Sequence, residues 1–164
     1  MKAGYLAICK GLDRMVTFLC GAACVVLTAS VLAIVILRFG FNTGNIKLQN
    51  LAEYAFAVLM ILSLPYGLRR GGHVRVEVLS DCLPAGYGRL ADRAALVIFL
   101  VPVFGLMIYA WWPDLAYSWT IFEGSVETGG LGGLFLVKTM LPLAAVAMIL
   151  QGIAVLLDPR VLAK

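Results

Sequence analysis

At 164 residues the chain has room for one domain, yet 62% of it is apolar and only 13% charged, with a mean hydropathy of +0.97. Soluble domains run nearer half apolar and about a quarter charged, so one small core cannot hide this excess and the composition belongs in lipid. The net charge of +4 does not indicate nucleic acid, because membrane proteins gather basic residues on their cytoplasmic side. A soluble metalloenzyme or hydrolase triad is disfavoured too: His73 is the only histidine, and Cys9, Cys20, Cys24 and Cys82 lack a zinc-like pairing.

Met15 to Leu37 carries no charge and as a helix would reach roughly 35 Å. Leu48 to Leu68 carries one ionisable group, Glu53; Ala94 to Pro113 and Thr139 to Leu157 carry none. Each approaches the roughly 20 residues needed to cross the hydrocarbon, and no shorter alternation suggests barrel strands. The expectation is an all-α polytopic membrane protein: a single membrane domain over 1–164 with spans at about 15–38, 47–69, 90–113 and 137–158. The first apolar run exceeds a signal-peptide core and is followed by Arg38-Phe39-Gly40 rather than a small-residue cleavage site, so it is expected to stay attached.

With four crossings, ten of the thirteen basic residues fall on one side: Lys2, Lys10 and Arg14, then Arg69, Arg70, Arg75, Arg89 and Arg93, then Arg160 and Lys164. Arg38, Lys47 and Lys138 fall on the other. The positive-inside bias places both termini and the middle loop in the cytoplasm, with Asp114, Glu123 and Glu127 facing out.

Gly40 and Asn42 should close the first span, Pro142 sits in the first turns of the fourth, and Asp158-Pro159 should stop it. Pro65 and Pro102 fall inside spans two and three, where a kink is expected. Tyr109, Trp111, Trp112, Tyr117 and Trp119 crowd the outer end of span three, the pattern of rings at a headgroup boundary.

Glu53 invites two readings. An intramembrane carboxylate is a candidate for proton or ion coupling. Against that, Asn50-Leu51-Ala52-Glu53 matches a helix start, with Asn50 capping and Glu53 answering first-turn amides at the positive end of the helix dipole. Capping or a partner contact is the favoured reading.

In the middle loop, Val74, Val76 and Val78 alternate with His73, Arg75 and Glu77, a strand pattern when taken alone. A lone strand would have nothing to pair with, whereas Val74, Val78, Leu79, Cys82 and Leu83 can line a short cytoplasmic interfacial helix between spans two and three. Gly71-Gly72 would supply the bend and Pro84-Ala85-Gly86 the end. His73 is expected to bond backbone or lipid phosphate rather than a metal. Arg69, Arg70 and Arg75 are expected to face anionic phospholipid headgroups, each worth about 1 kcal/mol.

The outer loop from Ser118 to Gly133 combines five glycines with Glu123 and Glu127. It has no P-loop lysine-serine or lysine-threonine pair at the right spacing, so a shaped turn is expected, with Lys138 pairing Glu123 or Glu127 or snorkelling outward. Cys20 and Cys24, beside Gly21 and Thr28, read as packing residues, as do Ala144, Ala145, Ala147 and Gly152 on span four.

A stand-alone pump needs mid-membrane polar groups, broken helices or repeats. These spans show little buried polarity beyond Gln151 and no repeat, so the chain reads as a subunit. Two-histidine haem ligation within it is impossible with one histidine. The segment Leu68-Arg69-Arg70-Gly71-Gly72-His73-Val74-Arg75-Val76-Glu77, the acid Glu53 early in span two, and Ser118-Trp119 to Glu123, Ser125, Gly129-Gly130-Leu131, Lys138-Thr139 and Pro142 resemble one family along nearly the whole chain. That family is the small permease subunit of tripartite ATP-independent periplasmic (TRAP) transporters, in the branch labelled mannitol/chloroaromatic or keto-acid.

The resemblance implies a bacterial inner-membrane scaffold in a sodium-coupled secondary transporter for organic acids. Its partners would be a large elevator permease subunit and a periplasmic substrate-binding protein. No catalytic residue, cofactor or metal is expected in this chain, sodium coupling belonging to the large subunit. Glu53, Arg69, Arg70, His73, Arg75, Glu77, Glu123 and Lys138 are the candidate contacts to partner or lipid headgroups. The alternatives are a self-contained four-helix multidrug exporter using Glu53, and a membrane anchor of a redox complex.

Overall fold

The computed structural model describes residues 2–69 and 96–157. Within them lie four long helices: α1 (Lys2–Gly40), α2 (Ile46–Arg69), α3 (Val101–Thr120) and α4 (Leu134–Leu157), with a π-helical turn at Leu96–Leu100 leading into α3. Each contains a stretch long and apolar enough to cross a membrane: Cys9–Gly40, Ile46–Leu68, Ile98–Thr120 and Leu134–Ala154. The chain is an all-α, multi-pass membrane protein. The middle loop, with its expected interfacial helix and Arg70, His73, Arg75 and Glu77, lies outside the described residues.

The helices form an open layer in the order α1, α2, α4, α3: α2 packs between α1 and α4, and α3 packs on α4. Val16, Leu62 and Ala144 are the buried centre, joined by Leu19, Cys20, Val58, Ile61, Tyr66, Met140 and Leu143. The contact face of α4 is built from small residues, with Ala144, Ala145, Ala147 and Ala154 all buried, which lets its neighbours approach closely. Of the small residues expected to pack on span one, Cys20 does so, whereas Gly21 has open space where a side chain would be and Cys24 is exposed. Large side chains such as Phe18, Val25, Leu32, Phe56, Phe99 and Leu106 point outward instead. In lipid this costs nothing, since the surroundings are as apolar as the core.

Pro102 falls inside the third span as expected, and Pro113 lies inside it as well. Pro102 stands at the first turn of α3, directly after the π-helical turn. The wider π turn absorbs the amide that proline cannot supply. Pro113 does not end the third span, which runs on to Thr120. Proline deletes one ladder bond, but the helix continues, and its end is closed by the Ile121 amide donating to the Tyr117 carbonyl at 3.2 Å. That extension carries Asp114, Ser118 and Trp119 to the loop end of the bundle.

The turn between α1 and α2 is tight. The amides of Phe41 and Thr43 both donate to the Leu37 carbonyl, at 3.2 and 3.1 Å, and Asn42 takes a left-handed φ of 53°, which asparagine tolerates better than most residues. Asn45, not Asn50, caps α2: its Oδ1 accepts from the amides of Lys47 at 3.0 Å and Leu48 at 3.4 Å. The capping role assigned to Asn50 is therefore wrong, because the helix begins a full turn earlier. Gln151 on α4 is 3% exposed, and neither its Nε2 nor its Oε1 finds a hydrogen-bond partner among the described residues.

Candidate functional site

The α1–α2 turn and the α3–α4 loop share one end of the bundle, where most of the polar contacts between described side chains gather. Lys138, in the second turn of α4, meets Glu123 Oε2 at 2.7 Å, Asp114 Oδ2 at 3.0 Å and Ser118 Oγ at 3.0 Å. An ammonium has three N–H donors, so each has one acceptor. The Ser118 hydroxyl accepts from Lys138 and in turn donates to Glu123, and Ser118 is fully buried. The hydrogen bonds from Lys138 and then Ser118 hold the Glu123 carboxyl below its ordinary pKa, because each favours the charged form.

Aromatic rings wall this cluster. The Trp111 indole N–H donates to the Lys138 carbonyl at 3.3 Å, and the Trp119 indole N–H donates to Thr139 Oγ1 at 3.1 Å. Phe135 packs edge-to-face on Trp119 and on Phe122, at ring separations of 4.8 and 5.8 Å. The expected headgroup belt is thus divided: Tyr109, Trp112 and Tyr117 are exposed, while Trp111 and Trp119 tie α3 to α4.

A second set of contacts fastens the loop to α2. Asn50, 1% exposed, donates from Nδ2 to Glu127 Oε2 at 3.2 Å and accepts on Oδ1 from the Leu131 amide at 3.0 Å. The Tyr54 hydroxyl donates to the Leu131 carbonyl at 2.9 Å, which also accepts from the Ser125 amide at 2.9 Å. The glycines explain why the loop can fold so closely. A side chain on Gly130 would lie 2.6 Å from Asn50 Oδ1 and from Ser125 Cβ, and Gly129 and Gly133 take left-handed φ values of 81° and 100°. The shaped turn expected for this stretch is present, closed by a bridge between Gly124 and Gly132.

Of the candidate contact residues, Glu123 and Lys138 come together. Glu53 does not join them; it lies exposed on α2, one helical turn from Asn50. Arg69 is the last residue of α2. Glu127, the alternative partner of Lys138, binds Asn50 instead. The sequence reading missed Asp114, Ser118, Asn50 and Tyr54. The i to i+4 spacing of Asp114 and Ser118 was the available signal, hidden by treating Pro113 as the span's end.

The family described as the DctQ component of tripartite ATP-independent periplasmic transporters matches residues 27–160. The chain belongs to that family. No curated protein and no solved structure matches it. The DctQ match takes in α2, α3, α4 and the last part of α1, so both halves of the polar cap lie within it. The chain is accordingly a small TRAP permease component, and the DctQ family is a transporter component rather than an enzyme family.

Proposed function

We propose that this DctQ component is a rigid scaffold in a sodium-coupled TRAP transporter for organic acids, holding a large elevator permease subunit in the bacterial inner membrane while a periplasmic protein delivers the substrate. The observation that supports this reading is where the charge lies. The ionic contacts seen among described residues, Lys138 with Asp114 and Glu123, fasten the chain to itself at the loop end, while the middle of the layer is packed with alanine, leucine and valine. A solute carrier needs polar groups at mid-membrane; a holder needs stiff helices and a fixed end.

On this reading the capped end faces the periplasm and both termini face the cytoplasm, following the distribution of basic residues. Glu53, exposed on α2, and Arg69, Arg70, His73, Arg75 and Glu77 are contacts to the large subunit or to lipid headgroups. The exporter alternative draws less support, because Glu53 sits on the outside of the layer rather than between helices.

The test is reconstitution. Liposomes holding the large subunit with its binding protein should take up organic acid under a sodium gradient only when this chain is also present. The chain alone should transport nothing, and sodium-driven uptake by it without a partner would refute the scaffold reading.

A further inference from the structure

The α1–α2 turn leaves a recess of about 340 Å³ lined by Arg38, Asn42, Thr43, Asn45 and Gln49 over the apolar Leu48. That is at the small end of the range of about 300–1,000 Å³ typical of ligand pockets. We propose that it binds the phosphate of an anionic phospholipid headgroup, a site separate from the arginine-rich middle loop.

Three features of the recess point to an oxyanion. Its polar lining supplies donors: the Arg38 guanidinium, which makes no ion pair or hydrogen bond among the described residues, and the NH₂ groups of the Asn42 and Gln49 side chains. Asn45 adds another, because its Oδ1 is already occupied by the Lys47 and Leu48 amides and its NH₂ is left to donate. None of the lining residues is acidic, and Lys47, next along the chain, adds a second cation; the neighbouring acids are Glu53, a turn beyond Gln49, and Glu127, which is held by Asn50.

The position of the recess selects a lipid as the source of that phosphate. The turn joins two helices that each cross a membrane, Cys9–Gly40 and Ile46–Leu68, so whichever way the chain is inserted the recess lies at a bilayer surface, at headgroup depth. Around it Phe39 and Phe41 are 84% and 70% exposed, offering apolar surface to the acyl chains beneath a bound headgroup. Arginine's planar fork suits phosphate oxygens, and this pairing is stronger where water is scarce.

The experiment is native mass spectrometry of the full chain released from detergent, titrated separately with phosphatidylglycerol, with diacylglycerol of the same acyl chains, and with inorganic phosphate. Phosphatidylglycerol should bind, and Arg38→Gln should weaken one binding event about five-fold, the effect of one interfacial cation. Gln49→Leu should weaken the same event, and Lys10→Gln, at the other end of α1, should leave it unchanged. Equal binding of diacylglycerol, equally tight binding of inorganic phosphate, or undiminished phosphatidylglycerol binding by Arg38→Gln would each overturn the proposal. So would a second result in the assembled transporter: loss of the partner subunit from Arg38→Gln with lipid binding intact, which would assign the recess to an acidic side chain of that partner.

Discussion

Asn50 and Glu127 are 77 residues apart in the chain and 3.2 Å apart in space. The single amide of Asn50 serves both sides of the loop, donating to Glu127 and accepting from the Leu131 backbone. Asn50, together with Tyr54, therefore fastens the loop that joins α3 to α4 onto α2.

Replacing Asn50 by Ala should cost about 1–3 kcal/mol, the usual penalty for stranding a buried polar partner. Asn50→Asp should be worse, since a carboxylate cannot donate to Glu127 and repels it. Adding Glu127→Gln should restore much of the loss, because the glutamine amide can donate to the new carboxylate. Thermal unfolding of the two single variants and the double variant in one detergent gives the coupling energy; additive losses would show that the contact is not energetically linked.

At Lys138 the expected result depends on geometry as well as charge. Lys138→Met should destabilise the protein by about 1–3 kcal/mol, leaving buried Ser118 and two carboxylates without their shared cation. Lys138→Arg should recover little, since a flat guanidinium cannot aim three N–H groups at the three acceptors that surround the ammonium. Melting temperatures of the two variants, compared with the parent, provide the measurement.

The depressed pKa of Glu123 gives the cap a definite acid response. A carboxyl whose folded value lies below its unfolded value stabilises the fold above the unfolded value, and that contribution disappears as pH falls through the folded one. Stability should hold at neutral pH and begin to decline once pH drops under the ordinary value of 4.5. Glu123→Gln should flatten part of that decline. Melting curves at a series of pH values between neutrality and pH 3 would show it, and a parent and variant with parallel profiles would contradict it.

Gln151 leads to the opposite kind of expectation, a gain. Both polar atoms of its side chain are buried without partners among the described residues, so Gln151→Leu should raise stability by about 1–3 kcal/mol. Thermal unfolding of the variant reads this directly; a fall in melting temperature would mean that the amide makes an interaction in the membrane.

The four crossings were legible because a charge-free run such as Met15 to Leu37 has no place outside lipid. Lys138 was legible as a partner for Glu123 or Glu127, because that loop offers few basic residues, but which acid it takes was not. What stayed hidden has specific causes. Asparagine precedes two possible starts of α2, and the pattern Asn50 to Glu53 matched a capping box better than Asn45 did, although Asn45 makes the cap. Asp114 was read as a loop residue because the third charge-free run stops just before it, whereas the helix continues past Pro113 to Thr120. Which faces of the helices meet one another was least legible, since in lipid the contact face and the outer face are both apolar.

That last point reverses how a substitution scan of this chain should be read. In a water-soluble protein, trimming a large apolar side chain does the most harm, because such residues sit in the core. Along α4 the sensitive positions are the slender ones: Ala145 and Ala147 have no exposed surface, and a bulky side chain there would wedge neighbouring helices apart. Shortening Phe18 or Phe99 would instead exchange one greasy boundary for another. In a scan of this protein, tolerance should track girth rather than greasiness.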